Sequence, residues 1–289
     1  MTMTQHITTC TDIDWQLLWE QSRSRKSWKS KNAGEWDRKA ASFADRMKDS
    51  AYAGRFLQHV SLDKTMHVLD VGCGPGTLAL PIAEQVARVT AIDYSRTMIE
   101  LLDRQADQAG IDNIRSVQCS WEDDWSEHDI TTYDLVIASR SLNIRNLAGA
   151  LQKLDNHCRG SVFVAERIDP SPFDVDAFTA IGRPFNSGPD YIYTVNMLYR
   201  FGIHPRMELI ELDRELRYNS FEDALNAYKW MFKELEPREE KLLEAFLETR
   251  IVTKEKDHIV VRRDPPQRWA LLSWNHSDAR VRRKTDTHG

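Results

Sequence analysis

The chain has 289 residues, 41% hydrophobic and 29% charged, with a formal net charge of −5. That length suits one large domain or a core with additions, and the acidic balance argues against a general nucleic-acid binder. Cys10, Cys73, Cys119 and Cys158 have no CxxC spacing, so no metal site and no disulfide framework is expected. No apolar run approaches the ~20 residues of a membrane span, and no basic-then-apolar leader opens the chain, so a cytoplasmic protein is expected.

Residues 1–62 read as a helical cap. Trp15, Leu18 and Trp19 have helical spacing; Asn32–Gly34 interrupts it; Trp36, Ala40, Phe43, Ala44 and Met47 mark a second helix, and Tyr52, Phe56, Leu57 and Val60 a third. Residues 63–168 alternate strand and helix. Strands are expected at His67–Val71, Arg88–Asp93, Ile114–Cys119, Tyr133–Ser139 and Ser161–Ala165, with a helix capped by Ser95 and closed at Gly110 and another around Leu147, Leu151 and Leu154. Such alternation implies a parallel sheet covered on both faces.

Residues 169–276 hold two segments beyond that alternation. One carries the run Arg183–Tyr193, rich in Pro, Gly and aromatics. The other, Ser220–Arg250, is read as two amphipathic helices parted at Pro237. Late strands are expected at Met207–Leu212 and Arg268–Trp274, with a short extra one at Ile259–Val261. Residues 277–289 read as a polar, basic tail. Arg23–Lys31 and Arg280–Lys284 are local basic stretches, read as a solvated helix face and a chain end.

The stretch Val68–Thr77 carries the strongest signal. A buried strand bearing Asp70 breaks into Gly72, Gly74 and Gly76 before a helix, which lets backbone N–H groups approach a ligand. A dinucleotide fingerprint wants its third glycine where Thr77 stands. The displaced Gly76 instead suits a ligand without a pyrophosphate. One crossover later a second apolar run ends in Asp93.

Asp70–Thr77, followed by Ile92-Asp93-Tyr94-Ser95 and Met98, resembles the first two motifs of the class I S-adenosylmethionine-dependent methyltransferases. The resemblance is nearest to the type 11, or ubiquinone/menaquinone-biosynthesis-like, subgroup and spans about Trp36–Glu166. It implies an α/β fold: a doubly wound, seven-strand, mostly parallel Rossmann-like sheet with an N-terminal helical cap and helical insertions. It implies S-adenosylmethionine as cofactor. Gly72, Gly74 and Gly76 would lie against its methionine part, Asp70 would orient the loop or the amino group, and Asp93 would accept both ribose hydroxyls. Tyr94 and Met98 would wall the adenine. Where the family often carries Gly-Asp-Ala, this chain has Ser120 in place of the acid, leaving the Trp121 amide and Glu122 as adenine partners.

The methyl acceptor is expected beyond the C-terminal strand ends. After the fourth strand stands Ser139-Arg140-Ser141-Leu142-Asn143, without the Asn/Asp-Pro-Pro-Tyr motif of enzymes that methylate amino groups of bases or glutamine. Ser139 and Arg140 are candidates there, the arginine for a carboxylate or phosphate of cofactor or substrate. Asp190, Tyr191, Tyr193 and His204 are candidates to bond or deprotonate an acceptor. The expectation is a methyltransferase acting on a small molecule, with nucleic acid disfavoured. An RNA or protein methyltransferase and a non-catalytic cofactor-binding protein are the alternatives.

Overall fold

A computed structural model describes residues 9–28, 34, 37, 51–232 and 234–276. The expected helix of Trp36 to Met47 and the tail from 277 lie outside the described residues, apart from Asp37.

Five strands run parallel: β1 (His67–Val71), β2 (Arg88–Asp93), β3 (Ile114–Gln118), β4 (Tyr133–Ser139) and β5 (Cys158–Arg167). Two more, β6 (Arg206–Glu211) and β10 (Arg268–Asn275), complete a seven-stranded sheet of order β3-β2-β1-β4-β5-β10-β6. Only β10 runs against its neighbours, β5 and β6. The expected doubly wound, mostly parallel sheet is present.

Strands covered on both faces are apolar on both faces. In β1, Val68 joins Tyr52, Phe56 and Ile82 in one cluster, whereas Leu69 and Val71 join Trp19, Leu147 and Leu151 in another. Tyr52 and Phe56, on helix α2 (Tyr52–Leu57), have no exposed surface, each burial contributing roughly 1.5–3 kcal/mol. Helix α1 (Trp15–Arg25) starts at Asp14, whose carboxylate accepts the Leu17 amide. The helix expected after Gly76 is short, α3 (Ala79–Ala83).

Helix α4 (Arg96–Ala109) begins where the Ser95 hydroxyl accepts the Met98 amide at 3.2 Å and ends at Gly110, whose φ of 68° takes the left-handed cap. Helix α5 (Leu147–Asn156) is capped by Asn146. These are the local signals the sequence displays, and they hold.

Two expectations need correction. The Arg183–Tyr193 run is not one loop: Asp190 accepts the Ile192 amide at 3.1 Å and caps helix α7 (Tyr191–Arg200), which follows α6 (Val175–Ala180). The rest of the run is tied down, with the Ser27 amide donating to Asn186 O and Trp28 Nε1 to Ser187 O, both at 2.8 Å. The insertion between β6 and β10 holds the strand expected at Ile259–Val261 and two more that were not expected. Besides α8 (Phe221–Lys229) and α9 (Pro237–Arg250) it holds β7 (Glu215–Tyr218), β8 (Ile251–Lys254) and β9 (Ile259–Arg262), a second sheet of order β7-β9-β8. Four-residue strands give too little alternation to read, and β8 follows α9 without a turn. Phe173, Phe178, Tyr228, Leu243, Leu247 and Val261 form this region's own core. Among the described residues no helix is long and apolar enough to cross a membrane.

Candidate functional site

All three glycines of the turn after β1 have positive φ: 73° at Gly72, 54° at Gly74 and 92° at Gly76. Only glycine adopts such a run without strain. The Gly72 and Cys73 amides donate to Ile92 O at 2.8 and 3.0 Å, which ties the turn to the end of β2. A Cβ added at Gly72 would stand 2.3 Å from the Ser141 Cβ, so the loops after β1 and β4 touch there. The Ser141 hydroxyl donates to Val71 O at 2.8 Å across the same contact.

Asp93 organises the turn. Its Oδ2 accepts the Gly74 amide at 3.0 Å and its Oδ1 the Ser95 amide at 2.8 Å. Each carboxylate oxygen keeps a further acceptor site. Burial raises the Asp93 pKa, opposed by these two amides, and nearby Asp37 raises it further. Asp37 reaches in from the N-terminal segment, accepting the Ser95 hydroxyl at 2.5 Å and the Thr97 amide at 3.3 Å, a contact no sequence pattern announced. Asp70 is buried with Oδ2 unpartnered, and burial, then the Asp93 charge, pushes its carboxyl up to about 7. An acid this crowded by acids is completed by a cationic group.

Beyond β2, Tyr94 is exposed and Met98, at the start of α4, is buried. The Ser120 hydroxyl accepts the Glu122 amide at 3.2 Å, while the Ser120 amide donates to Asp123 at 2.8 Å. Asp123 is therefore turned into its own loop, and the exposed Glu122 is the acid left to face outward. Trp121 packs on Trp125 at 5.8 Å between centroids. Cys119, Asp123 and His128 converge within 4.8 Å, but burial pushes the Cys119 thiol up to about 11, away from the thiolate that binds metal.

The end of β4 departs from the pattern of a strand. Alternation would set Arg140 with Val136 and Ala138, on the α1 side of the sheet. Its φ of 58° turns the chain instead, and the guanidinium carbon lies 4.0 Å from the Tyr52 ring centroid and 5.6 Å from that of Trp269, both in the opposite cluster. The Arg140 amide donates to Ala165 O at 2.8 Å, fixing the turn. The Ser139 hydroxyl is spent on the Tyr52 hydroxyl, 2.6 Å away. Burial pulls the Arg140 pKa down, opposed by Tyr52, and no carboxylate among the described residues pairs with its guanidinium.

At the end of β5, buried Glu166 is pushed up to about 7 by burial, against the pull of Arg167. Arg167 donates from Nε to Pro189 O at 2.7 Å, and its Nη1 has no partner. Glu166 was missed although it carries the same signal as Asp70 and Asp93, an acid closing an apolar strand. Tyr52 and Trp269 were missed as site residues because aromatic positions in buried elements read as packing.

Helix α1 lies across the loop after β4. Trp19 Nε1 donates to Ile144 O at 2.9 Å, Arg23 to Asn143 O at 3.1 Å and Gln16 to Arg145 O at 2.9 Å. Of the remaining candidates, Asp190 is a helix cap, and Tyr191 packs against the core cluster containing Trp19. Tyr193 stands edge-on to Trp15 and Trp19 at 6.2 and 5.9 Å. Exposed His204 packs on Tyr199 just before β6. Arg206 pairs with Ser273, toward the far end of β10 from Trp269, so His204 stands at the opposite end of the strands from the glycine turn. The structure gathers the glycines, Asp70, Asp93, Ser139 and Arg140, and leaves His204 out.

This arrangement fits S-adenosylmethionine. Asp70 offers an unpartnered buried carboxylate for a cationic ligand, Asp93 has spare acceptor sites for two hydroxyls, and a side chain at Gly72 would fill the cradle. A family described as "Methyltransferase domain" matches residues 68–160. An uncharacterized protein of Haemophilus influenzae is 34% identical over 245 residues, 83% of this chain and 88% of that protein. A ubiquinone biosynthesis O-methyltransferase of Methylocella silvestris is 48% identical over 46 residues, 16% of this chain and 18% of that one. Among solved structures, the YcgJ protein of Bacillus subtilis superposes with a TM-score of 0.54 at 14% identity, covering 78% of this chain and 97% of its own, which shows a shared fold. With motif, sheet order and site geometry in agreement, the chain belongs to the class I S-adenosylmethionine-dependent methyltransferases.

Proposed function

We propose that this enzyme methylates a small molecule. The observation that carries the reading is the position of helix α1, pinned by Gln16, Trp19 and Arg23 over residues 143–145. That helix occupies space above the strand ends where a macromolecular acceptor would have to lie. The acidic net charge of −5 and the missing Pro-Pro motif after β4 support the same reading, as does the short match to a ubiquinone biosynthesis O-methyltransferase.

The glycine turn and Asp93 would hold S-adenosylmethionine, which when bound would supply an electrophilic methyl group for an acceptor lone pair, with the sulfur taking the electron pair of the broken bond. The chain's own part is positioning and charge. Asp93 holds the turn through the Gly74 and Ser95 amides. Asp70 supplies a negative charge beside the cationic ligand. Glu166, poised at about 7, is the group best suited to receive a proton if the acceptor atom carries one.

A second reading, an enzyme acting on RNA, draws on a cleft of ≈320 Å³ lined by Glu20, Arg23, Ser24, Lys26 and Arg145. The test supplies methyl-labelled S-adenosylmethionine with the low-molecular-weight, RNA and protein fractions of one cell extract. Label entering the low-molecular-weight fraction supports the proposal. Label entering RNA, with binding that falls steeply with salt, would replace it by the second reading.

A further inference from the structure

We propose that the chain forms a two-fold dimer in which β6 pairs antiparallel with β6 of a second copy. β6 ends the seven-stranded sheet, with β10 on one side and, among the described residues, no strand on the other. The Leu212 amide donates to Gln267 O at 2.9 Å, one step in register beyond the pair of Glu211 with Arg268. Backbone groups alternate sides along a strand. Arg206, Glu208 and Ile210 therefore bond β10 as Leu212 does, and the N–H and C=O groups of Met207, Leu209 and Glu211 point outward. Natural edges discourage pairing with cover, bulges or charge. Here residues 206–209 are all exposed, Met207 at 46% and Leu209 at 49%. Their register partners on β10, Leu272 and Ala270, lie in the cluster that contains Trp19, so both side chains stand on that face of the sheet. Exposed Tyr199, on α7 over the same face, packs on His204 just before β6.

The charges on the opposite face choose the occupant and the register. A two-fold axis normal to the sheet and passing beside Met207 sets Arg206 of each copy opposite Glu208 of the other. These positions are non-hydrogen-bonded pairs, where facing side chains come closest, so an ion pair forms on each side of the axis. On the Met207 face, Met207 meets its own counterpart and Leu209 meets Pro205, which makes a continuous apolar ladder. Met207 exchanges main-chain bonds with its counterpart, and the Leu209 amide donates to the Pro205 carbonyl. Proline has no N–H to leave unsatisfied there. An axis at Glu208 would set that carboxylate against itself. An axis at Leu209 would set Arg206 and Glu208 opposite Leu212 and Ile210, with no charge matched. The strand is complementary to itself in one register, and that self-complementarity points to a second copy of this chain as its partner.

The test measures the mass of the full chain in solution by light scattering over a series of concentrations. The wild type is expected to be a dimer. Arg206→Glu and Glu208→Arg each put like charges opposite one another on both sides of the axis, and each should weaken the dimer by about tenfold or more. Mixed in equal amounts, the two variants should form a heterodimer, because one then offers acids where the other offers cations. The double variant Arg206→Glu/Glu208→Arg should dimerise with itself again. Thermal melting checks that each variant is folded. If a charge variant does not fold, Leu209→Ser, which interrupts the apolar ladder, decides by the same measurement, with loss of the dimer expected. A wild type that stays monomeric at every concentration would overturn the proposal. So would single variants that dimerise as the wild type does, or a mixture of the two that stays monomeric.

Discussion

On the cofactor side of the sheet's edge, almost every part comes from one continuous stretch between Asp70 and Ser95. The glycines, the Ile92 carbonyl they bond and the Asp93 carboxylate that pins them are neighbours in one βαβ unit. On the proposed acceptor side, Tyr52, Ser139, Arg140, Glu166 and Trp269 arrive from separate parts of the chain and meet only after the sheet is complete. One side is a motif with its conformation written into residue types. The other is an assembly whose chemistry depends on which strand lies next to which.

That contrast predicts where substitutions act. Gly72→Val should do most damage, since its side chain would start 2.3 Å from the Ser141 Cβ at a φ of 73°. Overpacking and backbone strain together should cost about 2–5 kcal/mol, read by urea denaturation; wild-type stability would mean the turn is looser than described.

Asp93→Asn comes next. Exchanging a charged acceptor for a neutral amide should weaken S-adenosylhomocysteine binding by about 10- to 100-fold in calorimetric titration, the size of one or two charge-assisted bonds. The His204→Ala chain should bind it as the wild type does, because His204 lies at the opposite end of the strands.

A smaller effect tests the acid pair. Asp70 stands at about 7, above its ordinary value, so the folded chain holds this proton where the unfolded chain has released it. The stability this group contributes is full at acid pH and declines as pH rises from the ordinary carboxylate range through 7. Binding the cationic cofactor should pull the proton off. Near pH 7 the heat of S-adenosylmethionine binding should therefore depend on the buffer's ionisation enthalpy, and Asp70→Asn should abolish that dependence. Buffer-independent heats in the wild type would refute the shift.

The mildest change lies on the acceptor side. Gly54, inside α2 between Tyr52 and Phe56, has nothing within 4 Å of an added Cβ. Gly54→Ala should stabilise the chain by about 0.5–1 kcal/mol in thermal melts without altering cofactor affinity. A destabilisation would show that α2 is packed more tightly than its glycine suggests.

The same contrast governs how much could be read from the sequence. The Ser95 cap, the Gly110 stop, the three glycines and the acids closing β1 and β2 are local devices, and each stands where it was expected. The seven-strand sheet was implied by the family resemblance, and its strand order, with β10 between β5 and β6, is seen only in the structure. The four-residue strands β7 and β8 were invisible because they draw their stability from β9 rather than from their own pattern. Tyr193, a candidate to bond or deprotonate an acceptor, stands edge-on beside Trp15 and Trp19, a contact its surrounding run of Pro, Gly and aromatics did not signal. Arg140 was legible as a charge at a strand end. Its turn toward Tyr52 was not, since nothing in Ser139–Asn143 signals a left-handed backbone in the way glycine does.

The most direct test of the whole account is a crystal structure of the complex with S-adenosylhomocysteine. The ribose hydroxyls are predicted on Asp93, with the methionine part lying against Gly72, Gly74 and Gly76. Ribose hydroxyls held away from Asp93, or a methionine part that does not touch the glycine turn, would contradict the account.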